Sequence, residues 1–255
     1  MKKTVIRSLF YIILPTILVS LPYAFVNSKA PSYDYYFKAV EGNQRPEVCP
    51  EAAELLEHKD IITIGPDEKK IYLTFDAGFD NDNMGKILDT LKQKGVSGAF
   101  FVDGNFVKSQ PDLVNRICSE GHILGNHTLS HADMSTLSDF EKYKTQVVSW
   151  NDLVTEVGGT PTEYFRFPCG RFSETALQYN EKLGLKTVFW SFAYYDWDVN
   201  DQPDTQAALQ KILSRTHNGC IMLLHSVSKT NAELLPTLID RLQQQGYTFG
   251  SLSDF

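Results

Sequence analysis

Six residues of this chain stand where their types could do acid–base or metal chemistry: Asp76, His127, His131, Arg166, Asp196 and His225. Carboxylates and imidazoles pass protons near neutral pH, and a guanidinium holds a carboxylate ionised and oriented. His127-Thr128-Leu129-Ser130-His131 sets two imidazoles four residues apart. Both can reach one divalent ion where such a segment is helical or tightly turned. Each feature also has an ordinary explanation. Two loop histidines are commonly just solvated, and an Asp after a strand often only caps the next helix. Arg166-Phe167-Pro168-Cys169-Gly170 reads as a turn with a surface arginine. His225, after Met222-Leu223-Leu224, reads as a hydrogen-bonded strand end, and Tyr194-Tyr195-Asp196-Trp197 as a structural aromatic loop.

The elements that carry these residues argue for more. Apolar, β-prone runs begin near Ile71, Gly98, His122, Tyr164, Lys186, Cys220 and Tyr247, which predicts seven strands. Helical patterns lie between them. Ser138-Asp139-Phe140-Glu141 is a capping box, closed off by Gly158-Gly159. Ser173 and Asp204 are N-cap candidates, Gly184 and Gly219 stop signals, and Pro111 sits at a first helical position with Gly121 at the end. Strands alternating with helices predict a parallel α/β architecture, and seven units predict a barrel rather than an open sheet. Asp76 follows the first strand, and His127 with His131 the third. Arg166 ends the fourth, Asp196 lies just past the fifth, and His225 ends the sixth. Functional groups collect at the C-terminal ends of parallel strands. Five separate segments therefore aim ionisable groups at one mouth.

Composition narrows the partners. The chain has 255 residues and a net charge of -7, which excludes a phosphate-tracking surface and hence nucleic acid. Lys2, Lys3 and Arg7 precede an uncharged run from Ser8 to Ser28, so residues 1–30 read as a signal peptide or a signal anchor. The remainder is then extracytoplasmic, with membrane contact only through that segment. Residues 31–69, with Pro46 and Pro50, read as a polar lead-in. Cys49, Cys118, Cys169 and Cys220 form no C-x-x-C pair, which excludes a zinc ribbon. Exported chains permit disulfides, yet Cys118 and Cys220 fall in apolar segments and read as small core residues.

In order and spacing, Thr74-Phe75-Asp76, His127-Thr128-Leu129-Ser130-His131, Arg166-Phe167-Pro168-Cys169-Gly170, Asp196-Trp197 and Leu223-Leu224-His225 resemble the five motifs of carbohydrate esterase family 4, the NodB-homology polysaccharide deacetylases. The likeness runs from about residue 70 to 255. It implies a distorted (β/α)7 barrel that hydrolyses an acetamide on a sugar polymer. It makes Asp76 the general base, His225 the general acid, Asp196 the partner of His225, and Arg166 the partner of Asp76. Trp197, Tyr195 and Pro168 would contact substrate, and His127 with His131 would hold a divalent metal, zinc or similar. The wider family has a second Asp after the base as third ligand; Ala77 stands there, which implies weak binding. Asp80 and Asp82 are near but read as caps of the following helix. Phe189-Trp190-Ser191-Phe192-Ala193-Tyr194 and His225-Ser226-Val227-Ser228-Lys229-Thr230-Asn231-Ala232 resemble the spore-cortex branch. That branch deacetylates N-acetylmuramic acid in the peptidoglycan strand on the route to muramic δ-lactam, and it commonly lacks the second Asp as well. An N-acetylglucosamine deacetylase acting on peptidoglycan or chitin-like polymers, and an inactive sugar-binding module, are the competing expectations.

Overall fold

Lys70–Ala77 is buried almost from end to end, as expected of a central parallel strand covered on both faces. The computed structural model that shows this describes residues 31–255; the expected signal segment, residues 1–30, lies outside the described residues. Alternate residues of this strand go to different cores. Ile71, Leu73 and Phe75 pack with Ile87, Leu91, Leu235 and Leu238 of the flanking helices. Tyr72 packs instead with Phe101, Phe165 and Leu223 on the inner face. Asp76 shares the parity of Tyr72, so the two-residue strand period turns its carboxylate inward.

Every run expected as a strand forms one. Across the sheet the order is Cys220–His225, Lys70–Ala77, Ala99–Val102, Ile123–Asn126, Tyr164–Phe165, Lys186–Val188 and Ile61–Ile62, all paired in parallel, while Thr248–Phe249 pairs with the start of Lys70–Ala77. The sheet curls back on itself through an irregular segment. Ser191 N–H donates to Ile221 O at 3.0 Å, and Leu223 N–H to Phe192 O at 2.8 Å. Ser191 Oγ accepts from Ile221 N–H and bonds His217 Nε2, which staples this seam. The result is a distorted (β/α)7 barrel.

Residues 31–69 contribute more than a polar lead-in would. Ile61–Ile62 forms the last strand of the sheet, and Ser32–Asp34 pairs antiparallel with Arg171–Ser173. Tyr35 is buried, stacks on Phe189 and donates its hydroxyl to Trp190 O at 2.7 Å.

Helix ends largely follow their signals. Ser173 and Asp204 cap helices Glu174–Lys182 and Thr205–Arg215 through side-chain bonds to Ala176 N–H and Ala207 N–H. Pro111 opens helix Pro111–Ser119. The cap of Phe140–Glu156 is Asp139 rather than Ser138: its carboxylate accepts from Glu141 N–H and Lys142 N–H. Gly219 is a turn residue before the next strand, since helix Thr205–Arg215 ends at Thr216. All four cysteines are free thiols, with Cys49 and Cys220 buried, Cys118 partly so and Cys169 exposed.

Candidate active site

Asp76 and His225 face one another in register at the C-terminal ends of adjacent parallel strands. On the other side of Asp76, Arg166 Nη1 donates to its Oδ1 at 2.8 Å. The guanidinium is fully buried and cannot swing away. Nε donates to Val188 O at 3.0 Å, Nη2 to Phe189 O at 3.1 Å, and its plane lies over the Phe101 ring at 4.1 Å. That ring has room because residue 125 is glycine: a Cβ there would meet Phe101 Cδ1 at 2.4 Å. Burial alone would raise the pKa of Asp76, yet the charges of Arg166, His127 and His225 outweigh it and hold the carboxyl below its ordinary value. Asp76 is therefore ionised and held in place.

His225 takes the opposite charge preference. Its Nδ1–H donates to Asp196 Oδ1 at 2.7 Å, and its backbone N–H donates to Oδ2 of the same carboxylate at 2.9 Å. Asp196 is fully buried, so this pair sits largely out of water. Burial disfavours charge on the imidazole, but the hydrogen bond and charge of Asp196, with Asp76 behind, raise its pKa above the ordinary value. Nδ1 is committed, which leaves Nε2 as the proton-exchanging nitrogen. A carboxylate kept ionised beside an imidazole kept protonated is a base and an acid set one strand apart.

His127 and His131 come together in a tight turn, not a helix; Thr128 and His131 both have positive φ, 70° and 54°. The rings meet edge to face, 4.9 Å between centroids. His127 Nδ1–H donates to Arg166 O at 2.9 Å, so Nε2 carries the lone pair, 3.7 Å from Asp76 Oδ2. Burial, opposed by Asp76 and aided by His131, pushes the His127 pKa down to about 4. A neutral imidazole whose second nitrogen is tied to a carbonyl fits a metal ligand. The donor set is small: among the described residues, no group of three or more His, Cys, Asp or Glu converges as a metal site. Ala77 is buried where it lines the cavity, and its methyl side chain supplies no oxygen. Asp80 accepts from Met84 N–H at 3.3 Å and Asp82 occupies the N-cap of Asn83–Lys94, so both belong to the helix start.

These groups share a cavity of about 730 Å³ lined by Asp76, Ala77, His127, His131 and His225 together with apolar side chains. Trp197 lines it with its indole half exposed, and Tyr195 stands outside it, edge to face with Trp197 at 4.8 Å. Pro168 is buried in its turn, and its neighbour Cys169 reaches the cavity instead. Trp190 lines the cavity from a segment read in the sequence only for its likeness, while Phe79 and Asp103, also lining it, fall in none of the sequence motifs. Asp103 directly follows strand Ala99–Val102, so the strand-end rule could have found it. Its carboxylate caps the short helix Gly104–Ser109 at Phe106 N–H, 2.8 Å.

Known proteins are similar to this chain in sequence and fold. Residues 63–188 match the family model described as polysaccharide deacetylase. The chain is 42% identical to the peptidoglycan-N-acetylmuramic acid deacetylase PdaA of Bacillus subtilis over 86% of its length and 83% of that protein's. It is 29% identical to a peptidoglycan-N-acetylglucosamine deacetylase of Bacillus cereus over 91% of its own length and 82% of the relative's. The solved structure of B. subtilis PdaA, a family 4 carbohydrate esterase, superposes with a TM-score of 0.84 at 41% identity, covering 88% of this chain and 96% of that one.

Proposed function

Belonging as it does to the polysaccharide deacetylase family of carbohydrate esterases, the chain is a hydrolase of N-acetyl amide bonds, and we propose that it deacetylates N-acetylmuramic acid in peptidoglycan outside the cytoplasm. One observation carries the reading: an ionised Asp76 and a protonated His225 stand in register at adjacent strand ends, each with its own buried partner.

Asp76 takes a proton from a water molecule as that water adds to the acetyl carbonyl carbon. His225 Nε2 gives its proton to the amide nitrogen as the C–N bond breaks, because an amine leaves poorly as an anion. Acetate and the free sugar amine result. Arg166 fixes the direction of the Asp76 carboxylate, and Asp196 stabilises the charged imidazole. His127 and His131 would hold a divalent ion, which when bound polarises the carbonyl and stabilises the developing oxyanion. The exposed faces of Trp197 and Phe79 offer apolar walls for a sugar ring.

Greater identity to the muramic acid enzyme than to the glucosamine enzyme favours muramic acid, on the route to the muramic δ-lactam of spore cortex. Formation of that lactam needs a free lactyl carboxyl, so glycan already stripped of its stem peptide is the expected substrate. The test is acetate release from purified glycan, with and without stem peptide, followed by mass spectrometry of the digested products. Loss of acetyl from muramic acid alone, abolished about 10²- to 10⁴-fold by Asp76→Asn or His225→Ala at intact circular dichroism, is the expected result. Equal or faster loss from N-acetylglucosamine transfers the assignment to that sugar. No acetate from either would leave an inactive sugar-binding module.

A further inference from the structure

Phe189–Tyr194 and His225–Ala232 are the two segments that resemble the spore-cortex branch. In the folded chain they meet at a single point, around the carboxylate of Asp196. Asn231, in the first turn of helix Lys229–Gln244, is fully buried. Its Nδ2 donates to Asp196 Oδ2 at 2.6 Å and to the backbone carbonyl of His225 at 3.1 Å. The hydroxyl of Tyr194 donates to Asn231 Oδ1, which fixes which way round the amide lies. With the oxygen engaged by Tyr194, both N–H groups are aimed at the acid and its partner.

The surrounding bonds serve the same placement. Ser228 Oγ accepts from Asn231 N–H at 3.1 Å and caps the helix. Gln202 Nε2 donates to Asp196 O at 3.0 Å, while its Oε1 accepts from Ser228 Oγ at 2.7 Å. The Asp196 loop and the helix start are thus tied on two sides. Without Asn231, both donors to the Asp196 carboxylate would come from His225, its backbone N–H and its ring Nδ1–H. Asn231 adds the one donor that stands on a different element, so the helix start as well as the strand end fixes the direction of the carboxylate. A buried polar network of this kind specifies one geometry when all its members are satisfied.

We propose that Asn231 and Tyr194 are a positioning pair: they lock Asp196 in the one orientation that holds His225 as a directed acid. The proposal rests on the reading of His225 as general acid. The charged groups facing His225 are Asp196, Asp76 and Arg166, and none of the variants below alters them.

The test uses Asn231→Leu and Tyr194→Phe in the full chain. The first removes both donors at similar volume, and the second removes one hydroxyl. The His225 ring titration is followed by NMR without substrate, and kcat and KM are measured on deacetylation. Asn231→Leu should lower the His225 titration midpoint and reduce kcat about 100-fold with KM little changed, the scale of a misplaced catalytic group. Tyr194→Phe should move both quantities in the same direction by a smaller factor. An unchanged midpoint and kcat in a folded Asn231→Leu protein would overturn the proposal. Should that variant not fold, an unchanged midpoint in Tyr194→Phe overturns it equally. The titration needs no substrate, so a wild-type chain inactive on every glycan would defeat the assigned function and leave this result readable.

Discussion

Arg166 donates to Asp76 at 2.8 Å with no part of its side chain exposed to water. A buried cation this well satisfied, with two carbonyls and an aromatic face besides, cannot be removed without taking from the carboxylate its only hydrogen-bonded cation among the described residues. The arrangement has a stability side and a catalytic side, and the two can be separated.

Arg166→Met is expected to destabilise the fold by about 3–5 kcal/mol, the usual penalty when one partner of a buried pair is deleted. It should also raise the pKa of Asp76, because burial then acts against only His127 and His225. The double variant Arg166→Met with Asp76→Asn should recover part of the lost stability and none of the activity. Chemical denaturation checks the first statement and the acid limb of the pH–rate profile the second. A single variant as stable as wild type would show that the ion pair is not what holds this end of the barrel.

A second expectation concerns pH. Activity requires Asp76 ionised and His225 protonated, so it should follow a bell. The acid limb should lie below the ordinary Asp value of 3.8, and the basic limb above the ordinary His value of 6.5. Asp196→Asn removes the larger part of what raises His225 and leaves burial opposed only by Asp76, so the basic limb should move to lower pH. Stability follows the same linkage. A histidine whose folded pKa exceeds its unfolded one adds stability that is fully present below about pH 6.5 and is lost as pH rises through the folded value. In Asp196→Asn that alkaline loss should shrink. A basic limb that stays in place in Asp196→Asn would remove His225 as its source.

The parts of the site legible in the sequence are those that strand ends and short motifs mark. Asp76, His127, Arg166 and His225 each terminate or follow an apolar run, and a parallel barrel converts that shared position into proximity. Tertiary bonds across long separations left no such trace. Asn231 meets Asp196 over 35 residues, and Tyr35 meets Trp190 over 155. Asp103 went unread in the sequence; it caps the short helix Gly104–Ser109 and has the cavity as its second neighbour. Strand Ile61–Ile62 went unread because it lies within residues 31–69, which read as a polar lead-in. The choice of Asp139 over Ser138 as cap shows the same limit at finer scale, since adjacent polar residues offer equal signals.

Gly125 supports the site from beneath, which gives a third expectation. Gly125→Ala would drive a methyl into the Phe101 ring, on which the Arg166 guanidinium rests. Overpacking of this sort costs about 1–3 kcal/mol. Because the displaced ring carries Arg166, kcat should fall more than the stability loss alone would explain at a temperature where the variant is fully folded. Gly125→Ala combined with Phe101→Leu should restore stability, while the loss of the aromatic face keeps kcat low. Normal turnover in the single variant would mean that the ring has room to yield without moving the arginine.

The last expectation is that divalent metal binding is weak and can be strengthened from one position. His127 presents a neutral Nε2 whose tautomer is fixed by Arg166 O, and His131 stands ring to ring with it. Ala77 offers no anionic oxygen, and two imidazoles without a carboxylate bind a dication less tightly than three ligands that include one. Zinc titrated into metal-stripped protein should give a measurable but loose isotherm, and His127→Ala should abolish it. Since the His127 pKa is about 4, protons should not compete for that nitrogen until the pH falls near 4. Ala77→Asp should tighten binding at least tenfold, in keeping with an added charged ligand, and should make deacetylation less sensitive to a chelator. Ala77→Asn, of nearly the same size but uncharged, should tighten it far less. An isotherm unmoved by His127→Ala would place any bound metal elsewhere, and His127 with His131 would then serve the substrate, with Asp76 and His225 unaffected as the acid–base pair.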